Sequence, residues 1–319
     1  MPVSRSLDPE PTPEFDVRCT DLHQSWAEGY KPLDEAIDEM TALRTEAAVE
    51  GIVANQARAE TFLGIMYGYQ GNLANSIQYF ERARALFTQV GNLKRIATCD
   101  LNLGETYRYK GDFNRARQYF ERAYETHKEL KDLIGETTAL CNRGQMFLSL
   151  GDLDSAAKDL ILAADMVKQL PEENANRNTL SCEISRSLAL LYIEQGRLDE
   201  ALFEAQAAFA IASRTQSPFD VGYANRAMGQ VLTAVHESSG ESDDSDSPDS
   251  YFQRANEAFR DINAEGEVAR TMFEHATSLA LRGRRIMAAK KLHLAIVIFT
   301  RLGMTDDAAK AAEAQREML

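Results

Sequence analysis

Apolar positions recur along this chain with a period close to 3.6 residues, in blocks that come in pairs. In the first block of one pair, Leu63, Gly64 and Tyr67 fall on one side of a helix. Gly71 follows, and a second block with the same period continues to Phe80 and beyond. This pattern predicts two amphipathic α-helices joined by a tight turn.

The paired blocks repeat. Four copies align on the glycines of their turns, Gly71, Gly111, Gly151 and Gly196, which are 40, 40 and 45 residues apart. A regular period of this length indicates a solenoid, in which each helix pair packs against its neighbours in the chain. The sequence therefore predicts a repeat protein.

Residues at the turn and inside the first helix have distinct expected roles. The turn glycine suits the left-handed conformation that ends a helix, and the next residue, such as Asn72 or Asp112, suits the cap of the second helix. A glycine inside the first helix, such as Gly104, allows the partner helix to approach closely. Replacing Gly104 with leucine should overpack that contact and cost about 1–3 kcal/mol.

Weaker copies extend the array in both directions. KPLDEAIDEMTAL lies upstream, and two further pairs lie downstream around Gly229 and Gly283. The last segment, TDDAAKAAEAQREML, predicts a helix that covers the open end of the array. We expect a single solenoid over residues 14–318, seven helix pairs and a terminal helix, after a disordered lead-in at residues 1–13.

The LG…Y…G…A…F…A pattern resembles the tetratricopeptide repeat, and the 40-residue period is similar to the longer variant found in spindle-orientation scaffolds and bacterial transcription regulators. The resemblance implies an all-α fold: a right-handed α-solenoid of about seven helix-turn-helix units with a C-terminal capping helix. It also implies that the first helices line a concave groove, which holds an extended peptide or a helix of a partner.

Matching the copies to one another carries the groove positions of the family onto this chain. The expected groove residues are Arg58, Phe62, Tyr69, Asn102, Glu105, Arg108, Tyr109, Asn142, Gln145, Arg186, Tyr223, Arg226 and Gln230. Asparagine and glutamine can pair with a peptide backbone, arginine with carboxylates, and tyrosine offers flat contact area. The set suits a peptide with some acidic side chains. Alternatively, half of these residues face solvent or pack on neighbouring helices.

Composition narrows the range of partners and compartments. The chain has 35 basic and 49 acidic residues, a net charge of −14, which argues against nucleic acid and anionic membranes as partners. No apolar run is long enough to span a membrane, and the start lacks a secretory signal. Four widely spaced cysteines without a CxxC pair indicate reduced thiols. We expect a cytoplasmic protein.

Sequence motifs for catalysis are not evident. The five histidines form no HExxH, and neither GxSxG nor GxxxxGK[ST] occurs. We therefore expect no enzyme activity, no cofactor and no metal. A basic run, RGRRIMAAKK, reads as a solvated face. An enzyme would need residues that the repeat does not explain, and the segment at 237–250 is the one candidate.

That segment, HESSGESDDSDSPDSY, replaces a tight turn in the sixth helix pair and predicts an acidic, flexible loop at 237–250. It reads as a tolerated surface insertion. Alternatively, Arg282, Arg284 and Arg285 in the next turn attract the loop and hold it near the mouth of the groove, and phosphorylation of Ser242 or Ser247 strengthens that contact.

The leading interpretation is a non-catalytic scaffold or adaptor that binds a peptide or partner segment in the groove. The alternative is a peptide-sensing regulator in which ligand binding tightens the array and changes its contact with an effector in trans. Both place the binding site on the first helices.

Overall fold

The computed structural model of the protein describes residues 9–239 and 247–318, and within these ranges the chain forms fifteen α-helices and no β-strand. Seven successive pairs and one final helix match the expected number, and the all-α solenoid class is confirmed. The helices are α1 (Pro13–Ala27), α2 (Leu33–Glu50), α3 (Val53–Gln70), α4 (Leu73–Val90), α5 (Leu93–Tyr109), α6 (Phe113–Glu129), α7 (Leu133–Ser149), α8 (Leu153–Val167), α9 (Ala175–Glu194), α10 (Leu198–Thr215), α11 (Pro218–Ser239), α12 (Pro248–Asp261), α13 (Glu265–Leu281), α14 (Arg285–Leu302) and α15 (Thr305–Met318).

The turns inside the pairs have the expected geometry. Gly71 ends α3 with a φ of +91°, a left-handed conformation that favours glycine. The side chain of Asn72 then accepts a hydrogen bond from the backbone N–H of Asn75, 3.1 Å away, and caps α4. Asp112 and Asp152 cap α6 and α8 in the same way. The predicted turn chemistry is confirmed.

A glycine inside each of the first helices α3, α5, α7 and α11 lies against a large side chain of the second helix. A Cβ built on Gly104 would lie 2.6 Å from a ring carbon of Phe120, which is closer than carbon atoms pack. Gly64 meets Phe80 in the same way. Phe80 and Phe120 are buried, so these contacts form the centre of their helix pairs. The expected close approach is confirmed.

The helices fall into two compact units. Unit 1 comprises the described residues up to Asn142, and unit 2 those from Arg143 onward, so that the boundary lies within α7. In each unit the helices of a pair pack together and the second helix packs on the next first helix, as α3 with α4 and α4 with α5. The terminal helix α15 packs on α14 and buries Ala311. The single array over residues 14–318 stays a prediction.

Two connections differ from the regular pattern. The 45-residue interval after Gly151 arises from a longer link, residues 168–174, between α8 and α9. α11 continues to Ser239 and α12 begins at Pro248, so both ends of the expected loop at 237–250 are helical. Ser247 caps α12 through its hydroxyl. Residues 240–246 lie outside the described residues.

The lead-in also ends differently from the expectation. Residues 1–8 lie outside the described residues, but residues 9–12 are hydrogen-bonded to α3 and to the start of α5. Pro11 is buried, and α1 begins at Pro13. The predicted disorder therefore does not extend to residues 9–12. None of the described helices is long and apolar enough to cross a membrane bilayer.

Candidate functional site

The first helices lie beside one another in each unit, α1, α3 and α5 in unit 1 and α9, α11 and α13 in unit 2. We call the surface that carries the expected groove residues on these helices and on α7 the first-helix face of each unit. Unit 1 holds eight of the expected residues, on α3, α5 and α7: Arg58, Phe62, Tyr69, Asn102, Glu105, Arg108, Tyr109 and Asn142. Unit 2 holds five, on α7, α9 and α11: Gln145, Arg186, Tyr223, Arg226 and Gln230.

On α3, the expected residues pack against α1. The guanidinium of Arg58 lies over the ring of Phe62, 4.1 Å from its centroid, and its Nε donates to Asp16 Oδ1 at 2.5 Å. Phe62 itself is buried. The ring of Tyr69 lies 5.5 Å from that of Trp26, which is fully buried. Phe62 is therefore a core residue, and only Arg58 and Tyr69 retain partial exposure.

On α5, three expected residues form one cluster. Arg108 donates to both carboxylate oxygens of Glu105, at 2.8 and 2.5 Å, and lies over the ring of Tyr109 at 4.5 Å. Asn102 donates to the carbonyl of Thr98 in its own helix. Asn142, on α7, is half-buried. The structure thus brings Glu105, Arg108 and Tyr109 together, and the arginine is neutralised by its own neighbour.

In unit 2, Arg226 is held by a carboxylate that sequence reasoning did not include. Its Nη1 lies 2.8 Å from Glu267 Oε2 on α13, and its guanidinium lies 5.0 Å from the centroid of Tyr223. Glu267 also forms an ion pair with Arg270 at 2.7 Å, and Arg270 forms a second ion pair with Asp307 of α15 at 3.2 Å. These ion pairs link three neighbouring helices.

The charge state of this network follows from its burial and its partners. Burial raises the pKa of Glu267, but Arg226 and Arg270 outweigh it and bring that pKa down to about 2. Glu267 is therefore ionised at neutral pH although its side chain is only 3% exposed. Burial raises the pKa of Glu274, which accepts a hydrogen bond from Gln230 at 3.0 Å.

The remaining expected residues of unit 2 meet at Glu183 on α9. Gln145 donates to Glu183 Oε1 at 3.0 Å, and Arg186 lies 3.5 Å from the same oxygen. Arg186 also lies over the ring of Tyr223, at 4.6 Å from its centroid. Tyr223 is therefore flanked by two guanidinium groups, those of Arg186 and Arg226.

The acidic partners of these arginines are what sequence reasoning missed. A signal for such pairs exists in unit 1, where an arginine precedes a carboxylate by 16 residues in successive copies. Arg44 pairs with Glu60, and Arg84 pairs with Asp100. These two pairs recur with the repeat period. Aligning the charged residues of the copies, as well as the apolar ones, would therefore have found Glu60 and Asp100. Glu267 shows no such recurrence.

The arginines of the turn after α13 contact the beginning of α12. Asp249, which the sequence placed in the acidic loop, lies in the first turn of α12 and accepts hydrogen bonds from Arg282 and from Arg284, the latter at 2.7 Å. His275 Nε2 lies 2.8 Å from Asp249 Oδ1. Burial by itself raises the pKa of Asp249. The hydrogen bonds and charges of His275 and Arg282 outweigh burial and hold that pKa well below its usual range. The third arginine, Arg285, is exposed, and Ser242 lies outside the described residues.

The described residues contain no group of three or more histidine, cysteine or acidic side chains placed to hold a metal ion. All four cysteines are buried thiols. Burial raises the pKa of Cys19, Cys99 and Cys182 to about 12, so these three are protonated, unreactive thiols.

Stacked two-helix units with left-handed glycine turns and first helices side by side define an α-solenoid protein. Residues 55–129 and 95–169 match the model of the tetratricopeptide repeat. The expected tetratricopeptide repeat is thus confirmed over residues 55–169.

Solved structures show the same fold over most of the chain. The apo form of RapI is 15% identical, with a TM-score of 0.63, over 91% of this chain and 99% of that one. The Rap conjugation gene regulator of the plasmid pLS20, in complex with the Phr* peptide, is 14% identical, with a TM-score of 0.58, over 97% of both chains. Aspartyl phosphate phosphatase F from Bacillus subtilis is 13% identical, with a TM-score of 0.52, over 83% of this chain and 70% of that one. No curated protein matches the sequence.

Proposed function

We propose that this protein is a non-catalytic interaction scaffold, and that its first-helix faces bind an extended peptide or a segment of a partner protein. The observation that carries the proposal is the side chains of those faces. Neighbouring first helices present half-exposed arginine, tyrosine, asparagine and glutamine side chains. A solenoid that bound no ligand would need only solvated side chains at these positions. Such side chains pair with peptide backbone and carboxylates and supply flat contact area.

The charges of unit 1 favour a partner with acidic side chains. Arg58 and Arg95 both contact Asp16, at 2.5 and 3.7 Å, so this part of the face already holds a carboxylate. In unit 2 the arginines are neutralised by Glu267 and Glu183. We therefore assign recognition of acidic side chains to unit 1, and contact through Tyr223 and Gln230 to unit 2.

The non-catalytic character of the scaffold is part of the proposal. It is supported by the general use of solenoid folds, whose stacked repeats present extended surfaces for binding. One structural neighbour is an aspartyl phosphate phosphatase, so the absence of activity needs its own assay. Incubation of the purified protein with acetyl phosphate and with phosphorylated response-regulator domains should release no phosphate above the buffer rate. Release above that rate would contradict this part of the proposal.

Photocrosslinking tests the binding face. A benzoyl-phenylalanine in place of Tyr109 keeps an aromatic side chain on the first-helix face of unit 1. The matched control replaces Phe203, an exposed aromatic residue of the second helix α10. In the cells that make the protein, the Tyr109 probe should capture a discrete partner that the Phe203 probe does not. Equal capture from both positions, or none from Tyr109, would overturn the proposal.

A second candidate is a peptide-sensing regulator acting on an effector in trans. It is favoured by one observation, the similarity in fold to a regulator solved with a peptide bound. Small-angle scattering separates the two candidates. A sensor should become more compact when the captured segment is added as a peptide, whereas a scaffold should keep its radius of gyration.

A further inference from the structure

The last residues of the lead-in are bound by two buried asparagines, one from α3 and one at the start of α5. Asn55 accepts a hydrogen bond from the backbone N–H of Thr12 at 2.8 Å and donates to its hydroxyl at 3.3 Å. Asn92 donates to the carbonyl of Pro9 at 2.7 Å and to Glu10 Oε1 at 2.9 Å. Asn55 and Asn92 are 1% and 6% exposed.

The second half of the bound segment is extended, after bends at Pro9 and Glu10. Thr12 has φ −62° and ψ 141°, which lies in the polyproline II region. Pro11 fixes its own φ, and Pro13 favours the extended conformation of Thr12. The proline is buried while Glu10 and Thr12 on either side are exposed. Pre-extended proline segments of this kind are common ligands because they lose little entropy on binding.

Charge completes the contact. Glu10 Oε2 lies 3.3 Å from Arg95 Nε, and Arg95 also reaches Asp16, which pairs with Arg58. Arg58 is one of the expected groove residues. The segment therefore lies at the N-terminal ends of α3 and α5, beside the arginines of unit 1 to which we assign acidic side chains.

We infer that the region around Asn55, Asn92 and Arg95 is a binding site for an extended peptide in which a proline follows an acidic residue, and that residues 9–12 occupy it as an internal ligand. The inference rests on the proposed function and specifies its ligand. A partner with an acidic-proline segment enters the site by displacing the chain's own residues. We call this region the Asn55–Asn92 site.

The internal ligand is held by contacts that another peptide can reproduce. Backbone groups of Pro9 and Thr12 make two of its hydrogen bonds, and any extended peptide offers the same groups. The ion pair of Glu10 with Arg95 is exposed, and such pairs contribute only about 0–1 kcal/mol. The internal ligand has the advantage of being attached to the chain, since a short tether gives an effective concentration on the order of millimolar.

Competition in the full-length chain tests the site. The probe is a fluorescent peptide with the sequence DPEPTPE, that of residues 8–14. The double variant Glu10→Lys, Pro11→Gly weakens the internal ligand and leaves the Asn55–Asn92 site intact. By fluorescence anisotropy it should bind the probe at least about tenfold more tightly than the natural chain, because the tethered competitor is lost. Equal affinity in the two proteins would overturn the inference.

A second substitution locates the probe. Asn92→Asp, added to the double variant, keeps the cap of α5, because aspartate accepts the hydrogen bond from Arg95 N–H as asparagine does. It removes the donor to both Pro9 and Glu10 and places a carboxylate beside Glu10 of the probe. Affinity should fall at least about tenfold, a change that the loss of a single hydrogen bond is enough to produce.

The matched control is Asn72→Asp, at the equivalent cap of the second helix α4. It should leave probe affinity unchanged. Equal losses from Asn92→Asp and Asn72→Asp would overturn the assignment. Circular dichroism should show the same helix content in all variants. If the probe fails to bind but the Tyr109 crosslink still captures a partner, only the Asn55–Asn92 site is wrong. If both fail, the proposed function is wrong as well.

Discussion

The first-helix faces of the two units use similar residues in opposite ways. In unit 2, Arg226 is neutralised by Glu267, a carboxylate that is 3% exposed and lies on the next first helix. In unit 1, Arg95 is neutralised in part by Glu10, which is 61% exposed and belongs to the lead-in. One charge is therefore balanced inside the helical framework, and the other by a segment on its surface.

The difference shows how one repeat can serve stability in one unit and binding in the other. A buried pair is costly to break, because separating it leaves an unpaired charge in a dry environment. An exposed pair is exchangeable, because water and other ions replace either partner at little cost. We expect substitutions at the Arg226–Glu267 pair to change stability and substitutions at the Arg95–Glu10 pair to change ligand exchange.

The largest effect should come from Glu267→Gln. Removing this charge leaves Arg226 and Arg270 without their shared carboxylate, and the loss of one partner of a buried pair costs about 3–5 kcal/mol. Urea unfolding followed by circular dichroism measures it. The control is Glu265→Gln, because Glu265 pairs with Arg301 at an exposed position and should matter by about 0–1 kcal/mol. Equal effects would remove the contrast between buried and exposed pairs.

Acid should reveal the same buried carboxylate. The folded-state pKa of Glu267, about 2, lies below its ordinary value of 4.5. Its contribution to stability is therefore fully present above pH 4.5 and is lost as the pH falls from there toward 2. The free energy of unfolding should decrease over that range in the natural chain, and less steeply in Glu267→Gln. Parallel pH profiles for the two proteins would contradict the assignment.

Gly104→Ala and Gly229→Ala test what the units have in common. A Cβ at Gly104 would lie 2.6 Å from Phe120, and one at Gly229 would lie 2.9 Å from Phe252. Each should cost about 1–3 kcal/mol through overpacking, and Gly104→Leu should cost at least as much as Gly104→Ala. The further changes Phe120→Leu in Gly104→Ala and Phe252→Leu in Gly229→Ala should each recover part of the loss. Recovery in one unit alone would mean that the two units pack differently.

The smallest effect on stability should come from Arg95→Gln, at about 0–1 kcal/mol. The substitution should have a larger effect on how tightly residues 9–12 are held, because the ion pair with Glu10 is lost. Hydrogen exchange at Thr12 N–H should become faster, while the amides at the centre of α5 keep their rates. High salt should have the same effect on the natural chain as the substitution. A loss of stability comparable to that of Glu267→Gln would break the comparison.

Much of the fold could be predicted because its determinants are local and repeated. Gly71 and Asn72 specify a turn within a few residues, and the spacing of Gly104 and Phe120 specifies a contact within one helix pair. The extent of α11 and the start of α12 were harder to predict, because a polar segment can still continue a helix. The structure of residues 9–12 depends on Asn55 and Asn92, which are distant in the sequence.

The candidate site was predictable only in part. Periodicity located Arg226 and Tyr223 on a first helix, but it could not show that Glu267 would neutralise the arginine. That pairing depends on the rotation of α13 relative to α11, which single-helix patterns do not contain. Phe62 was expected in the groove and is buried instead, because α1 covers it. Tyr109 and Arg108 lie together as neighbouring groove residues would.

The anchoring of Asp249 has a practical consequence for engineering. His275, Arg282 and Arg284 fix the first turn of α12 against the turn after α13, and Ser247 caps the helix locally. The starting position of α12 is thus fixed by contacts that Ser247 and Asp249 themselves make. A reporter domain spliced between α11 and α12 should leave the array folded, which makes this junction the natural place to attach a fluorescent sensor.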